Sequence, residues 1–279
     1  MSAARWRLSG FGDEIHPDPA VQVAVLQALG ASSIEVRSAW DVNVIELGPD
    51  RLRDLRTLFD RLGQDVSAVA SPVGKVDVAL PVEYEIDRLG RAVAAAHTLG
   101  TRYIRIFSFY RGPHRTPLDV RDDVLTRMRA LTDLAEREDV VLLHENEKDI
   151  YGDVPARVLD LVEAVGSPNL RLAWDSANYV QCGVRPFSQG WAGLAPYVEY
   201  LQVKDAVAAT GQVVAAGEGD GELPATIAAL KADGYAGYAS LEPHLTQAGS
   251  LGGFSGPAAF GRAARAFRRL ADQIGVDLT

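Results

Sequence analysis

Tyr103-Ile104-Arg105-Ile106-Phe107 is a short run of β-branched and aromatic residues. Val124, Met128, Leu131 and Ala135 come next, and then Val140-Val141-Leu142-Leu143-His144. Spacing by three or four puts the middle set on one face of a helix, so residues 103–144 read as strand, helix, strand. Strands joined through a helix pair in parallel by a right-handed crossover. Working outward, the same alternation fills the chain. Further strand-like runs at 8–11, 33–36, 65–70, 170–174, 200–203 and 238–241 bring the number to eight. Ile86, Leu89, Val93 and Ala96 mark a second helix face. Phe260, Ala264, Phe267, Leu270 and Ile274 mark the last one, after Ser255 and Pro257, which suit a helix start. Eight strand–helix units close an α/β (β/α)8 TIM barrel, with aliphatic layers expected in its core. A doubly wound open sheet is the alternative. Its dinucleotide-binding form loses support, because strand one leaves through Gly10-Phe11-Gly12-Asp13-Glu14 and not through Gly-x-Gly-x-x-Gly.

Composition narrows the function. The 279 residues are 47% hydrophobic and 23% charged, which is ordinary for a folded domain and poor for disorder or a coiled coil. No Pro/Ser-rich linker divides them, so one domain over 1–279 is expected. Cys182 is the single cysteine, which excludes an internal disulfide framework and a cysteine-rich zinc module. A formal charge of -9 argues against nucleic acid as a partner. No apolar run approaches the ~20 residues of a membrane span, and residues 1–12 lack a signal-peptide core, so a cytoplasmic protein is expected.

Barrel enzymes build their sites at the C-terminal ends of strands. Four consecutive strand ends here carry an oxygen donor. They are Leu142-Leu143-His144-Glu145-Asn146-Glu147, Leu172-Ala173-Trp174-Asp175, Leu201-Gln202-Val203-Lys204-Asp205 and Ser240-Leu241-Glu242-Pro243-His244. One carboxylate after a strand commonly does no more than cap the next helix. Four oxygen donors at one level, three of them carboxylates, would converge on the mouth, where the carboxylates need a cation or shared protons to offset their repulsion.

These segments, with Asp175-Ser176-Ala177-Asn178 and Gly217-Glu218-Gly219-Asp220, resemble the xylose isomerase-like TIM-barrel family over essentially the whole chain. That family includes sugar epimerases, keto-inositol-processing enzymes and dehydratases. The resemblance implies one divalent metal held by Glu145, Asp175, position 202 and Glu242. Gln202 departs from the histidine of the commoner members, although some members, dehydratases among them, look similar there. A neutral amide oxygen makes the set all-oxygen, which suits Mn²⁺ or Mg²⁺ better than Zn²⁺. The competing reading of Gln202 is a lost metal site in a non-catalytic, sugar-binding barrel.

The resemblance further implies a metal-dependent sugar or keto-sugar isomerase or epimerase working through a metal-stabilised enediolate, with Glu145 and Glu242 as the acid/base pair. A dehydratase or lyase on a keto-cyclitol or keto-sugar is the alternative. Lys204 shares a strand face with Gln202 and could stabilise an enolate oxygen, or could simply pair with a ligand carboxylate. Arg37, Arg105, Glu147, Asn178 and His244 are expected to touch a small polyhydroxylated substrate, with homo-oligomerisation left open. Arg111, Arg115 and Arg185 read as mostly solvated, His16 and His114 as loop histidines, and His144 as structural, because its parity points it into the helix layer. Trp40, Phe107, Phe109, Tyr110 and Trp174 could wall a sugar ring, though aromatics near barrel strands are more often core. The glycines at 217–221 allow tight turns, and without a following Lys-Ser/Thr they make no P-loop.

Overall fold

The computed structural model describes residues 4–249 and 252–279. Eight parallel strands run round a barrel: β1 (Ala4–Gly10), β2 (Ser33–Val36), β3 (Asp65–Ala70), β4 (Tyr103–Ile106), β5 (Val141–Glu145), β6 (Leu170–Asp175), β7 (Val198–Val203) and β8 (Tyr238–Leu241). Neighbours pair in the order 1-8-7-6-5-4-3-2, and a parallel bridge between Phe11 and Glu35 closes the seam. Seven of the expected strands fall within two residues of these bounds; the first, expected at 8–11, begins four residues earlier, at Ala4. One strand was not expected. β9 (Val276–Leu278) pairs in parallel with Ala4–Trp6 of β1, on the edge opposite β8, and ties the chain end to the N-terminal rim of the barrel.

The outer helices begin and end where chain chemistry dictates. Pro19 and Pro117 open α1 (Pro19–Ala28) and α4 (Pro117–Arg137), behind the cap residues Asp18 and Thr116. Gly100 and Gly275, at φ 77° and 78°, end α3 (Val82–Leu99) and α8 (Gly256–Ile274) in the left-handed turn that costs a Cβ-bearing residue energy. The remaining main helices are α2 (Pro49–Leu62), α5 (Pro155–Val165), α6 (Ser176–Gln181) and α7 (Leu223–Ala232). No helix among the described residues is long and apolar enough to cross a membrane.

Most of the apolar core lies between strands and helices, where Leu26, Leu55, Phe59, Leu89, Leu131, Leu161 and Phe267 are fully buried. Each such side chain contributes about 1.5–3 kcal/mol by leaving water. The lumen corrects the expectation of aliphatic layers. Val141, Leu143 and Ala173 are there, but its bulk comes from Tyr103, Tyr200 and Tyr238, whose rings lie 5.7–6.3 Å apart. Tyrosines fill volume as aliphatics do, and the Tyr200 hydroxyl also reaches Glu35 in the polar site above, while those of Tyr103 and Tyr238 pair with Glu199 and Arg7.

His144 points away from the lumen and is fully buried, with Nε2 2.9 Å from Ser108 Oγ. Burial pushes its pKa down to about 3 from the ordinary 6.5, so the folded protein holds it neutral. The unfolded chain takes up that proton first on acidification. His144 therefore supports the fold fully above pH ~6.5, and that support is lost as pH falls toward about 3. We expect His144→Gln to flatten the drop in urea midpoint between pH 7 and pH 4 relative to wild type. An unchanged slope would exclude His144 as its source.

Candidate active site

Strand register sets the level of the four donors. Asp175 is the Cα partner of Gln202, and Gln202 of Ser240, with Glu242 two residues further on the same face. Glu145 pairs with Ala173, two residues below Asp175. All four side chains are buried, and one oxygen from each of Glu145, Asp175 and Glu242 lies within 4.8 Å of the other two.

Two of the sequence motifs lock each other. Asn146 Nδ2 donates to the Asp175 carbonyl at 2.9 Å, while its Oδ1 accepts from Asp175 N at 3.1 Å. In return, Asn178 Nδ2 donates to Glu145 Oε1 at 3.0 Å and to the Asn146 carbonyl at 2.8 Å. Asp175 Oδ1 accepts from Asn178 N at 2.8 Å, so this carboxylate also caps α6. Arg105 holds the other Glu145 oxygen at 2.7 Å. Asn178, expected at the substrate, thus spends its amide hydrogens on the Glu145 carboxylate and the Asn146 carbonyl.

Lys204 lies among the carboxylates. Its Nζ is 2.8 Å from Asp175 Oδ2, off the hydrogen-bond axis, and donates to Glu242 Oε2 at 3.0 Å. Burial alone would lower its pKa, but Asp175 and Glu242 outweigh burial and keep the ammonium charged. Burial pushes Asp175 up, with Lys204 opposing and Glu145 and Glu242 reinforcing. Burial acts the same way on Glu242, yet Lys204, His244 and Arg105 prevail and hold it well below the usual carboxylate range.

His244 Nε2 sits 3.3 Å from Glu242 Oε1 and 3.2 Å from Glu14 Oε1. Arg37 donates to Asp13 and to the Gly253 carbonyl, both at 2.8 Å, with Nη1 3.6 Å from Glu242 Oε1. Gly253 lies flat on the His244 ring, and a Cβ there would overlap the ring atoms.

Gln202 is fully buried and directs Nε2 at both oxygens of Glu35, at 3.1 and 3.3 Å. Burial pushes the Glu35 carboxyl up to about 7, against the pull of Arg105. Gln202 Oε1 has no hydrogen-bond partner among the described residues, and neither has Asp175 Oδ2. Three carboxylates, one orphaned amide oxygen and no nitrogen or sulfur among the four form a set that fits a hard divalent cation.

A cavity of about 90 Å³ opens on Glu145 and Glu242; Arg37, Lys75, Arg105, Glu147, Lys204 and His244 line its polar side and Phe107 its apolar side. Lys75 lies 4.1 Å over the Phe107 ring and 3.1 Å from Glu147 Oε2, and holds that carboxylate below its ordinary pKa although burial opposes it. Sequence reasoning passed over Lys75, Glu14 and Glu35. Only Glu35 carried a signal there, as a charged residue between Ile34 and Val36 within a strand. Of the aromatics flagged with Phe107, Phe109 and Trp174 are buried in the strand–helix core. Arg115 and Arg185 pair with Asp77 and Glu222, both outside the cavity lining. The glycine loop at 217–221 wraps the Asp205 carboxylate, which accepts from the backbone of Gly217, Gly219 and Gly221 at 2.8–3.1 Å.

The family model described as xylose isomerase-like TIM barrel matches residues 23–272. A curated relative, 2-epi-5-epi-valiolone 7-phosphate 2-epimerase of Actinoplanes sp., is 29% identical over 237 residues, covering 83% of this chain and 82% of its own. Among solved structures, a probable 3-DHS dehydratase from Bacillus anthracis superposes with TM-score 0.73 at 16% identity, over 95% of this chain and 98% of that one. A xylose isomerase-like barrel from Mycobacterium smegmatis in complex with magnesium gives 0.72 at 18% identity, over 98% and 99%. At these identities the two structures speak to the fold alone.

Proposed function

Since this chain belongs to the xylose isomerase-like TIM barrel family, we propose that it is a divalent-metal-dependent epimerase or isomerase of a small keto-sugar or keto-cyclitol. The observation that carries this reading is the convergence of Glu145, Asp175 and Glu242 within 4.8 Å; Gln202, whose Oε1 has no partner among the described residues, is the strand partner of Asp175. Those four residues would hold the ion, and their oxygen donors favour Mn²⁺ or Mg²⁺ over Zn²⁺. When bound, such an ion supplies Lewis acidity to a substrate carbonyl.

The chain's own residues supply the proton chemistry. Glu242, kept ionised by Lys204, His244 and Arg105, is a ready acceptor for a proton on the carbon next to that carbonyl. Glu145, oriented by Arg105 and Asn178, serves the other face. Return of the proton to that face inverts the centre. Arg37, Lys75 and Arg105 place cationic donors on the cavity wall beside Glu145, Glu147 and Glu242, a lining suited to hydroxyl-rich or anionic substrates, and the phosphorylated substrate in the Actinoplanes relative's name agrees with that preference.

The test is incubation of the Mn²⁺-loaded protein with a keto-cyclitol phosphate in D₂O, followed by proton NMR. Exchange of the hydrogen next to the carbonyl, with a second epimer appearing, is the expected result. A conjugated enone absorbing in the ultraviolet would mean elimination, the dehydratase chemistry. No exchange across a panel of keto-sugars and keto-cyclitols by ion-loaded protein would overturn the reading.

A further inference from the structure

We propose that Glu35, on β2, is the positioning residue for Gln202: it fixes the amide so that Oε1 is the one atom left for a cation. This rests on the reading of Gln202 as a ligand and goes beyond it, because it assigns a role to a carboxylate outside the donor set. An amide has two ends of nearly equal size, and a glutamine is a dependable oxygen donor only if something tells the ends apart. Glu35 does so. Its two oxygens lie 3.1 and 3.3 Å from Gln202 Nε2, and an acceptor there claims the NH₂ end.

Glu35 is itself held by a chain of hydroxyls crossing the lumen. Tyr200 Oη donates to Glu35 Oε2 at 2.9 Å. A hydroxyl has one proton, so Ser67 Oγ, 2.8 Å away, donates to Tyr200, and Ser9 Oγ, 2.6 Å from Ser67, completes the relay. Every group in the chain is buried, and β1, β3, β7 and β2 each contribute one. A buried carboxyl in a lumen that tyrosine and leucine could fill is a cost to stability. Its presence, at the end of a relay of three hydroxyls, is accounted for if it supplies geometry instead. The arrangement plays the part that an outer carboxylate plays for a metal-bound histidine, where it fixes which ring atom faces the ion.

The test is a double-mutant cycle read by Mn²⁺ calorimetry at one pH, with melting of the metal-free proteins as the folding control. Glu35→Gln can donate as well as accept and so no longer selects the amide end. We expect it to weaken Mn²⁺ binding about tenfold. In a Gln202→Ala background the same change should move affinity less than about twofold, because the residue it acts through is gone. Tyr200→Phe, which removes the last hydroxyl of the relay, should weaken binding in the same direction and also lose its effect in Gln202→Ala. This arm decides the matter if Glu35→Gln does not fold. Equal losses with and without Gln202 would overturn the proposal, since a general electrostatic effect of Glu35 does not need the amide. Wild-type affinity in Glu35→Gln would overturn it as well. Failure of the underlying reading looks different: Gln202→Ala then binds Mn²⁺ as tightly as wild type, or wild type binds none, and the positioning role falls with it.

Discussion

Asp175→Asn is expected to lower divalent-ion affinity by more than about a hundredfold, beyond what loss of an outer partner of a metal ligand costs, while leaving the barrel folded. Asparagine keeps an oxygen for Asn178 N, so the cap of α6 survives. It removes the charge on the carboxylate nearest Lys204, which sits 2.8 Å away. Lys204 retains Glu242 at 3.0 Å, and burial together with Glu145 and Glu242 already disfavours the Asp175 charge, so the metal-free fold should lose little stability. Calorimetry with Mn²⁺ and melting in the presence of a chelator separate the two effects. Native affinity in this variant would remove Asp175 from the donor set. A collapse of the metal-free fold would show that the contacts of Asp175 with Lys204 and α6 are structural first.

The contrast between a donor and its supports also marks how far the sequence could be read. Parallel barrel strands are buried on both faces and appear as apolar runs bounded by turn chemistry, which is why Ser33–Val36, Asp65–Ala70 and Tyr238–Leu241 were legible to the residue. Side-chain parity along a strand placed Lys204 beside Gln202 and turned His144 outward. Val276–Leu278 was not legible, because three residues after a helix carry no periodicity of their own and take their strand geometry from β1. The contacts across the lumen were not legible either. Ser9, Ser67, Tyr200 and Glu35 come from strands far apart in the chain, and only closure and stagger of the barrel bring them within hydrogen-bond reach. Gln202 shows both limits. Its departure from the commoner histidine was visible in the sequence, whereas the direction of its amide depended on Glu35. Lys204 was named from its strand face, and its place between Asp175 and Glu242 needed the folded chain.

Glu145→Gln and Glu242→Gln are each expected to cut epimerisation by about 10²- to 10⁴-fold, the range for loss of a positioned acid or base. They should not do so in the same way. If each carboxylate serves one face of the substrate, a variant lacking one of them still exchanges the hydrogen that the other removes. Glu242→Gln should therefore incorporate deuterium starting from one epimer only, and Glu145→Gln starting from the other. The surroundings differ: Glu242 is held ionised mainly by Lys204 and His244, and Glu145 is fixed by hydrogen bonds from Arg105 at 2.7 Å and Asn178 at 3.0 Å, with Arg105 the one group acting on both. Glutamine preserves volume and an acceptor oxygen at both positions, so packing is not the variable. Because both residues are also proposed donors, ion content is measured for each variant and rates are compared at saturating Mn²⁺. Exchange of both epimers at the wild-type rate in either fully loaded variant would show that the missing carboxylate moves no proton. Loss of exchange from both epimers in both variants would show that the two glutamates act as one unit on a single face, and inversion would then need a proton donor other than these two carboxylates.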